Sequence, residues 1–203
     1  MLRKNLSSEY YDVLESHEKH LIYFLAHHIR KTYLNFQLKT NLREIDQDGA
    51  LIIVDFKMRI LPQSSRETKA AFFGKRGWTL HSVLVYTKND DDATLNIEAF
   101  DHWSDDTKQD AWFTASSLHA ALETLEKKPK WVTILSDNGP HYHCTELMII
   151  MGQWANWYGI NPKQWIFLEA GKAKTAIDSH HAQVNINIYL TVFISFAFAK
   201  FIF

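Results

Sequence analysis

The chain has 203 residues, 46% of them hydrophobic, which is enough to fill the core of one domain. Its 22 basic and 23 acidic side chains give a net charge of −1, which argues against a self-sufficient DNA-binding protein, because such proteins carry a basic surplus. A single cysteine, Cys144, excludes an internal disulfide framework and a cysteine-based zinc site, and a reducing compartment is the default.

The first half of the chain predicts one long helix followed by three strands. Over about residues 8–36, apolar side chains recur at three- and four-residue steps without Gly or Pro, which is typical of a helix. Strands are predicted over about residues 50–61, 78–87 and 94–103, and the turn signals between them favour an antiparallel meander.

The second half of the chain alternates between helices and strands. A helix is predicted over about residues 107–127, a strand over 130–136, a helix over 141–158, a short strand over 164–168 and a further helix from about residue 172. The order β-β-β-α-β-α-β-α, which follows the added N-terminal helix, resembles that of a ribonuclease-H-like domain. We therefore expect an α/β fold with a mixed five-stranded sheet and helices on both faces.

One acidic residue ends a predicted strand at a sharp turn. Asp137 follows an aliphatic run, and the sequence Asn-Gly-Pro after it turns the chain. An acid at the C-terminal end of a strand is well placed to hold a metal ion. The alternative is that Asp137 caps the next helix, and the turn alone does not decide between the two.

A second acid lies in the middle of the first predicted strand. Asp55 is surrounded by the apolar residues 52–54 and Phe56, where a lone carboxylate is costly to bury unless it pairs or holds a metal. Metal binding is the favoured interpretation of Asp55. Pairing with Lys57 or Arg59 is the alternative.

A third acid is expected from the helix after the fifth strand. Asp178 falls within that helix, whereas Glu169 lies where the fifth strand ends. Asp178 matches the expected location better. Glu169 is retained as an alternative ligand, or as a residue that contacts the ligands without binding the metal itself.

These acids and their surroundings resemble the catalytic core of DDE/D transposases and retroviral-type integrases. Ser136-Asp137-Asn138-Gly139 is similar to the second-acid motif of the integrases. Residues 169–178 read Glu-Ala-Gly-Lys-Ala-Lys-Thr-Ala-Ile-Asp, which resembles the third-acid region of transposon-derived eukaryotic proteins. Those proteins often read Gly-x-Gly-Lys there, and Ala173 departs from that pattern. The resemblance spans about residues 50–183.

The resemblance implies DNA strand cleavage and transfer with two Mg²⁺ or Mn²⁺ ions, ligated by Asp55, Asp137 and Asp178. It implies DNA as the partner and the nucleus as the location, and it leaves a homo-oligomer open. A truncated or inactive remnant of such an enzyme is equally compatible with it. The alternatives are a non-catalytic interaction module on the same fold and a tail-anchored membrane protein.

Basic and aromatic side chains near the acids are candidates for contacting DNA. They are Lys75, Arg76, Trp78, Lys172, Lys174 and His141. For the first three, an ordinary basic turn with Trp78 as the first core residue of a strand is slightly favoured. For the two later lysines, a solvated start of a helix is an equal alternative.

The last 20 residues differ in character from the rest of the chain. Residues 184–203 carry a single charge, Lys200, and such a length can span a bilayer. A buried core segment is an alternative. The favoured interpretation is non-coding sequence, since Gln183-Val184-Asn185 can be encoded by CAG-GTA-AAT, which resembles an exon end and a splice donor. We therefore expect a helical segment at 1–48, a catalytic-type domain at 49–183 and an apolar tail at 184–203.

Overall fold

The computed structural model describes residues 8–61, 66, 68–75, 77–89, 94–168 and 176–185. Its elements in chain order are α1 (Ser8–Glu44), β1 (Gly49–Ile60), α2 (Lys69–Phe73), β2 (Trp78–Lys88), β3 (Leu95–Ser104), α3 (Ala111–Thr124), β4 (Trp131–Asp137), α4 (Thr145–Gly152), α5 (Trp154–Tyr158), β5 (Asn161–Leu168) and α6 (176–185). The chain divides into two compact units, one up to Thr40 and one from Asn41 onward.

The described strands form one mixed sheet in the order β3-β2-β1-β4-β5. β1 pairs antiparallel with β2, and β2 pairs antiparallel with β3. β4 runs parallel to both β1 and β5. The expected α/β architecture with a mixed five-stranded sheet is therefore confirmed.

The two faces of the sheet differ because side chains alternate along each strand. Even-numbered residues of β1 and β4, such as Ile52, Val54 and Ile134, lie in an apolar core with α3, α4 and α5. Odd-numbered residues of β1, which include Asp55, point to the opposite face. On that face α6 contacts β1 through His181.

Three helices depart from their predicted bounds. α3 covers only Ala111–Thr124 of the predicted 107–127, because Asp110 caps its start and accepts a hydrogen bond from the Phe113 N–H. α1 continues to Glu44, because neither Gly nor Pro interrupts the chain before Gly49. The helix predicted over 141–158 begins only at Thr145 and is divided at Gln153 into α4 and α5. Gly159 ends α5 in the left-handed conformation, with φ of 68°, which glycine adopts without strain. The short helix α2 has no counterpart in the prediction.

Candidate functional site

Asp55 and Asp137 lie at the same level on neighbouring strands. β1 and β4 pair in parallel from Gly49↔Trp131 to Ile53↔Leu135. Continuing that register by two residues sets Asp55 level with Asp137, on the same face of the sheet. The Asp55 side chain is 12% exposed and that of Asp137 is 27% exposed. By this register, the two carboxylates that the sequence singled out belong to the same face of the sheet.

Another acid, Asp101 of β3, lies in line with Asp55 across the sheet. Asp55 is paired with Ser82 of β2, and Ser82 is paired with Asp101 of β3. The Ser82 hydroxyl donates a hydrogen bond to Asp101 Oδ1 at 2.5 Å. We call Asp101, Ser82, Asp55 and Asp137 the acid row. It crosses four adjacent strands on the face opposite the apolar core.

α6 contacts the acid row through two histidines. His180 Nε2 lies 2.9 Å from Asp101 Oδ1 and 3.0 Å from Oδ2. His181 Nδ1 lies 3.9 Å from Asp55 Oδ2. The Lys57 ammonium donates to the His181 carbonyl at 2.6 Å, which ties the helix backbone to β1. Burial lowers the pKa of Lys57, and the negative charge of Asp101 opposes that shift.

Asp137 shapes the turn after β4 and does not cap α4. Its Oδ1 accepts a hydrogen bond from the Gly139 N–H at 2.9 Å, and His141 Nε2 lies 3.6 Å from the same oxygen. The N-cap residue of α4 is Cys144. A Cβ at position 139 would come within 2.4 Å of His141 Cε1 and 2.9 Å of Asp137 Oδ1. Glycine there permits the close approach of the carboxylate to the turn.

A buried polar pair lies behind this turn, on the core face. His81 Nε2 and the Tyr142 hydroxyl are 3.0 Å apart, and both side chains are fully buried. Burial lowers the pKa of His81 well below its usual value, and nearby His102 and His141 lower it further. Burial raises the pKa of Tyr142, and the negative charges of Asp55 and Asp137 add to that shift. The Tyr142 hydroxyl therefore interacts electrostatically with both acids.

The predicted third acid is not brought to the other two. Asp178 is exposed on α6, whereas Ile177 and His181 are its buried residues. The alternative, Glu169, lies outside the described residues, as do Lys172, Lys174 and Arg76. Among the residues that the structure describes, no group of three His, Cys, Asp or Glu side chains could hold a metal ion.

The remaining DNA-contact candidates lie in different surroundings. The His141 side chain is only 13% exposed and lies beside Asp137 and the ring of Phe56. Lys75 is half-buried in the segment between α2 and β2. Trp78 is the first residue of β2, as the alternative interpretation had it, yet half of its surface is exposed.

Of the apolar tail predicted at 184–203, residues 186–203 lie outside the described part of the chain. Within that part, no helix is both long enough and apolar enough to cross a membrane.

Sequence reasoning missed Asp101, and it treated the two histidines of α6 as possible helix surface without assigning them a role. A signal for Asp101 was present: the polar run at residues 89–92 predicts a turn between two strands, and in the structure β2 and β3 pair with position 101 opposite position 82. A signal for His181 was also present, since Ile177 and His181 are four residues apart and therefore share a helix face.

A family model matches residues 32–195, a span that contains Asp55, Asp137 and Asp178. The family is described as a domain of unknown function, DUF8701. The chain belongs to this family. No curated protein is similar enough to the chain to give a match. The description of the DUF8701 family assigns no activity.

Proposed function

We propose that residues 49–183 form a ribonuclease-H-like domain of the transposase and integrase type, which cleaves and joins DNA strands with the help of Mg²⁺ or Mn²⁺. The observation that carries this proposal is the parallel pairing of β1 with β4 up to Ile53↔Leu135, because Asp55 and Asp137 each follow this last pair by two residues. The strand order β3-β2-β1-β4-β5, in which β2 runs antiparallel to β1 and β3 while β4 runs parallel to β1 and β5, supports the same fold.

The donor atoms of Asp55 and Asp137 suit a magnesium ion. Mg²⁺ prefers hard oxygen ligands and is usually held by one or two carboxylates, with waters and substrate phosphates completing its shell. Two carboxylates on one face of the sheet meet that requirement. The second ion that the resemblance implies needs a further acid. Asp178 is exposed on α6 and is not brought to the other two acids, and the alternative, Glu169, lies outside the described residues.

Each residue of the site has a distinct part in this proposal. Asp55 is nearly enclosed, so its carboxylate is held in a low-dielectric setting where its charge attracts a cation strongly. Asp137 is more open and is oriented by the Gly139 N–H, so it can face both the cation and a substrate. A bound Mg²⁺ or Mn²⁺ supplies charge stabilisation at the phosphate and activates water or a DNA 3′-hydroxyl.

The near-neutral charge of the chain limits how DNA would be held. A net charge of −1 gives little general attraction to phosphates, so tight DNA binding is expected to need a further basic part or a partner. Activity on short DNA ends at low salt is the condition under which this domain alone is expected to work.

A nicking assay tests the proposal. The full chain is incubated with Mn²⁺ and either supercoiled plasmid or short DNA ends, and nicked or joined products are measured. Asp55→Asn and Asp137→Asn each keep the side-chain shape but remove a charge, and we expect each to lower the rate on the order of 100-fold. The matched control is Asp105→Asn at an exposed turn after β3, which we expect to leave the rate unchanged.

Equal activity of all three variants, or no metal-dependent product from the wild-type chain, would refute the enzymatic proposal.

A second candidate is a non-catalytic interaction module, favoured by one observation. Histidines, not an acid, face Asp55 and Asp101 from α6. On this alternative the acids anchor α6 to the sheet. Asp55→Asn would then lower the free energy of unfolding without any metal present, while Mn²⁺ would stabilise neither the wild-type chain nor the variant.

A further inference from the structure

We propose that Asp101 is a positioning residue of the cation site: through His180 it holds α6 closed over Asp55, and Asp55 takes up a cation only when α6 is released. This inference rests on the proposed function, because it concerns how the site formed by Asp55 and Asp137 is opened. It gives Asp101 a role other than that of a cation ligand.

Both carboxylate oxygens of Asp101 are engaged. Oδ1 accepts a hydrogen bond from the Ser82 hydroxyl and lies 2.9 Å from His180 Nε2, while Oδ2 lies 3.0 Å from the same nitrogen. The side chains of His180 and Asp101 are only 21% and 25% exposed, so water screens their contact less than it screens a surface ion pair. Asp101 is therefore better placed to anchor α6 than to bind a cation.

The anchor at His180 places the next residue of α6 beside Asp55. His181 Nδ1 lies 3.9 Å from Asp55 Oδ2, and the His181 side chain is 9% exposed. The His181 carbonyl accepts a hydrogen bond from the Lys57 ammonium at 2.6 Å, so the backbone of α6 is fixed at the same point. His181 thus covers Asp55 from the side of α6.

A cation on Asp55 needs space that this arrangement does not leave. Mg²⁺ keeps several of its waters when one or two carboxylates bind it, so the carboxylate has to face an open, hydrated space. With His181 in place, the Asp55 side chain is only 12% exposed. The described position of α6 is therefore the closed state of the site.

α6 is short enough to be released while the sheet stays folded. It spans residues 176–185, and a helix of fewer than about 12 residues is marginal in water without its packing partners. The pairing of the five described strands with one another does not involve α6. Because closure of α6 and binding of a cation at Asp55 exclude each other, each weakens the other by the same factor.

Calorimetric titration of the full chain with Mn²⁺ tests this competition. We expect Asp101→Asn and His180→Ala each to tighten Mn²⁺ binding, on the order of fivefold or more, because either change weakens the anchor of α6. The direction of the change is decisive for Asp101→Asn. If Asp101 acted only through its charge, removing that charge would weaken the binding of a cation.

Two further variants serve as controls. Gln183→Ala removes a side chain of similar size from an exposed position of α6 without touching the anchor, and it is expected to leave the Mn²⁺ affinity unchanged. His180→Gln can still donate to Asp101, so its affinity should return from that of His180→Ala toward the wild-type value. Asp101→Asn and His180→Ala combined should bind no more tightly than the stronger single variant, because both break the same contact.

Hydrogen exchange of the backbone amides reports the position of α6 directly. We expect faster exchange over residues 176–185 in Asp101→Asn and in His180→Ala, and also in the wild-type chain when it is saturated with Mn²⁺. The amides of β1 and β4 should keep their protection in each case.

The outcomes separate this role of Asp101 from the proposed function. If wild-type Mn²⁺ binding depends on Asp55 but neither anchor variant binds more tightly, the role of Asp101 is overturned and the proposed function stands. Faster exchange in α6 without tighter binding would show a merely structural anchor and overturns the role as well. Absence of Mn²⁺ binding by the wild-type chain and by both anchor variants overturns the role and the proposed function together.

Discussion

His81 makes the stability of the domain depend on pH. Its side chain is fully buried against Phe56 and Tyr142, and burial holds its pKa well below the usual value of 6.5. The folded chain therefore keeps His81 neutral at pH values where the unfolded chain takes up a proton. Because acidification then favours the unfolded state, the free energy of unfolding should fall as the pH drops below about 6.5, by up to ~1.4 kcal/mol per pH unit.

Urea unfolding between pH 5 and 8 measures this slope. His81→Gln can still bond to the Tyr142 hydroxyl but cannot titrate, so we expect it to have a shallower dependence on pH than the wild-type chain. His119→Gln is the control, since His119 is exposed on α3. A His81→Gln variant with the wild-type slope would mean that His81 is not the residue responsible.

At the scale of elements, the start of β1 is fixed against the start of β4 by a glycine. Gly49 is paired with Trp131, and a Cβ at position 49 would lie 2.1 Å from the indole ring. The ring is further held by a hydrogen bond from its Nε1 to Asp46 Oδ1 and by Lys163 above its face. Trp131 therefore has little freedom to move aside for an added methyl group.

We expect Gly49→Ala to lower the free energy of unfolding by about 1–3 kcal/mol, because it overpacks this contact. The control is Gly152→Ala at the end of α4, where an added Cβ meets nothing within 4 Å and alanine suits the helix better. Chemical denaturation of both variants compares the two positions. Similar losses at both positions would contradict the role assigned to the Gly49–Trp131 contact.

The rotation of α6 is the element-scale feature that the sequence prediction did not anticipate. The resemblance directed attention to Asp178, but the helix turns Ile177 and His181 inward and leaves Asp178 exposed. Burying Ile177 gains apolar contact, and His181 follows on the same face four residues later. The face of a short helix that packs against a sheet is set by its apolar residues, here Ile177. The spacing of the acids along the chain does not predict which face that is.

At the scale of the whole molecule, local sequence patterns were sufficient to predict the strands but not how they pair. Segments rich in β-branched and aliphatic residues, separated by turn signals, predicted all five strands in their correct order along the chain. Most of the observed strand ends differ from the predicted ones by one residue. β5 begins three residues earlier than expected, at Asn161, because its pairing with Trp131 starts there. Pairing partners across the sheet are non-local, and periodicity within one strand does not determine them.

Within the acid row, Asp55 and Asp137 could be identified from the local sequence, whereas Asp101 could not. Asp55 and Asp137 stood out because each is an isolated acid in or after an apolar strand. Asp101 did not, because β3 is a half-exposed strand in which a charged residue is ordinary. Only the register of β2 with both of its neighbours brings Asp101 into line with Asp55.

The central claim is that Asp55 and Asp137 together bind a divalent cation. Titration calorimetry of the full chain with Mn²⁺ tests it most directly, since it needs neither DNA nor turnover. We expect the wild-type chain and Asp105→Asn to bind Mn²⁺ alike, and Asp55→Asn and Asp137→Asn each to bind at least about tenfold more weakly. Absence of binding by the wild-type chain, or wild-type affinity in both acid-row variants, would contradict the claim.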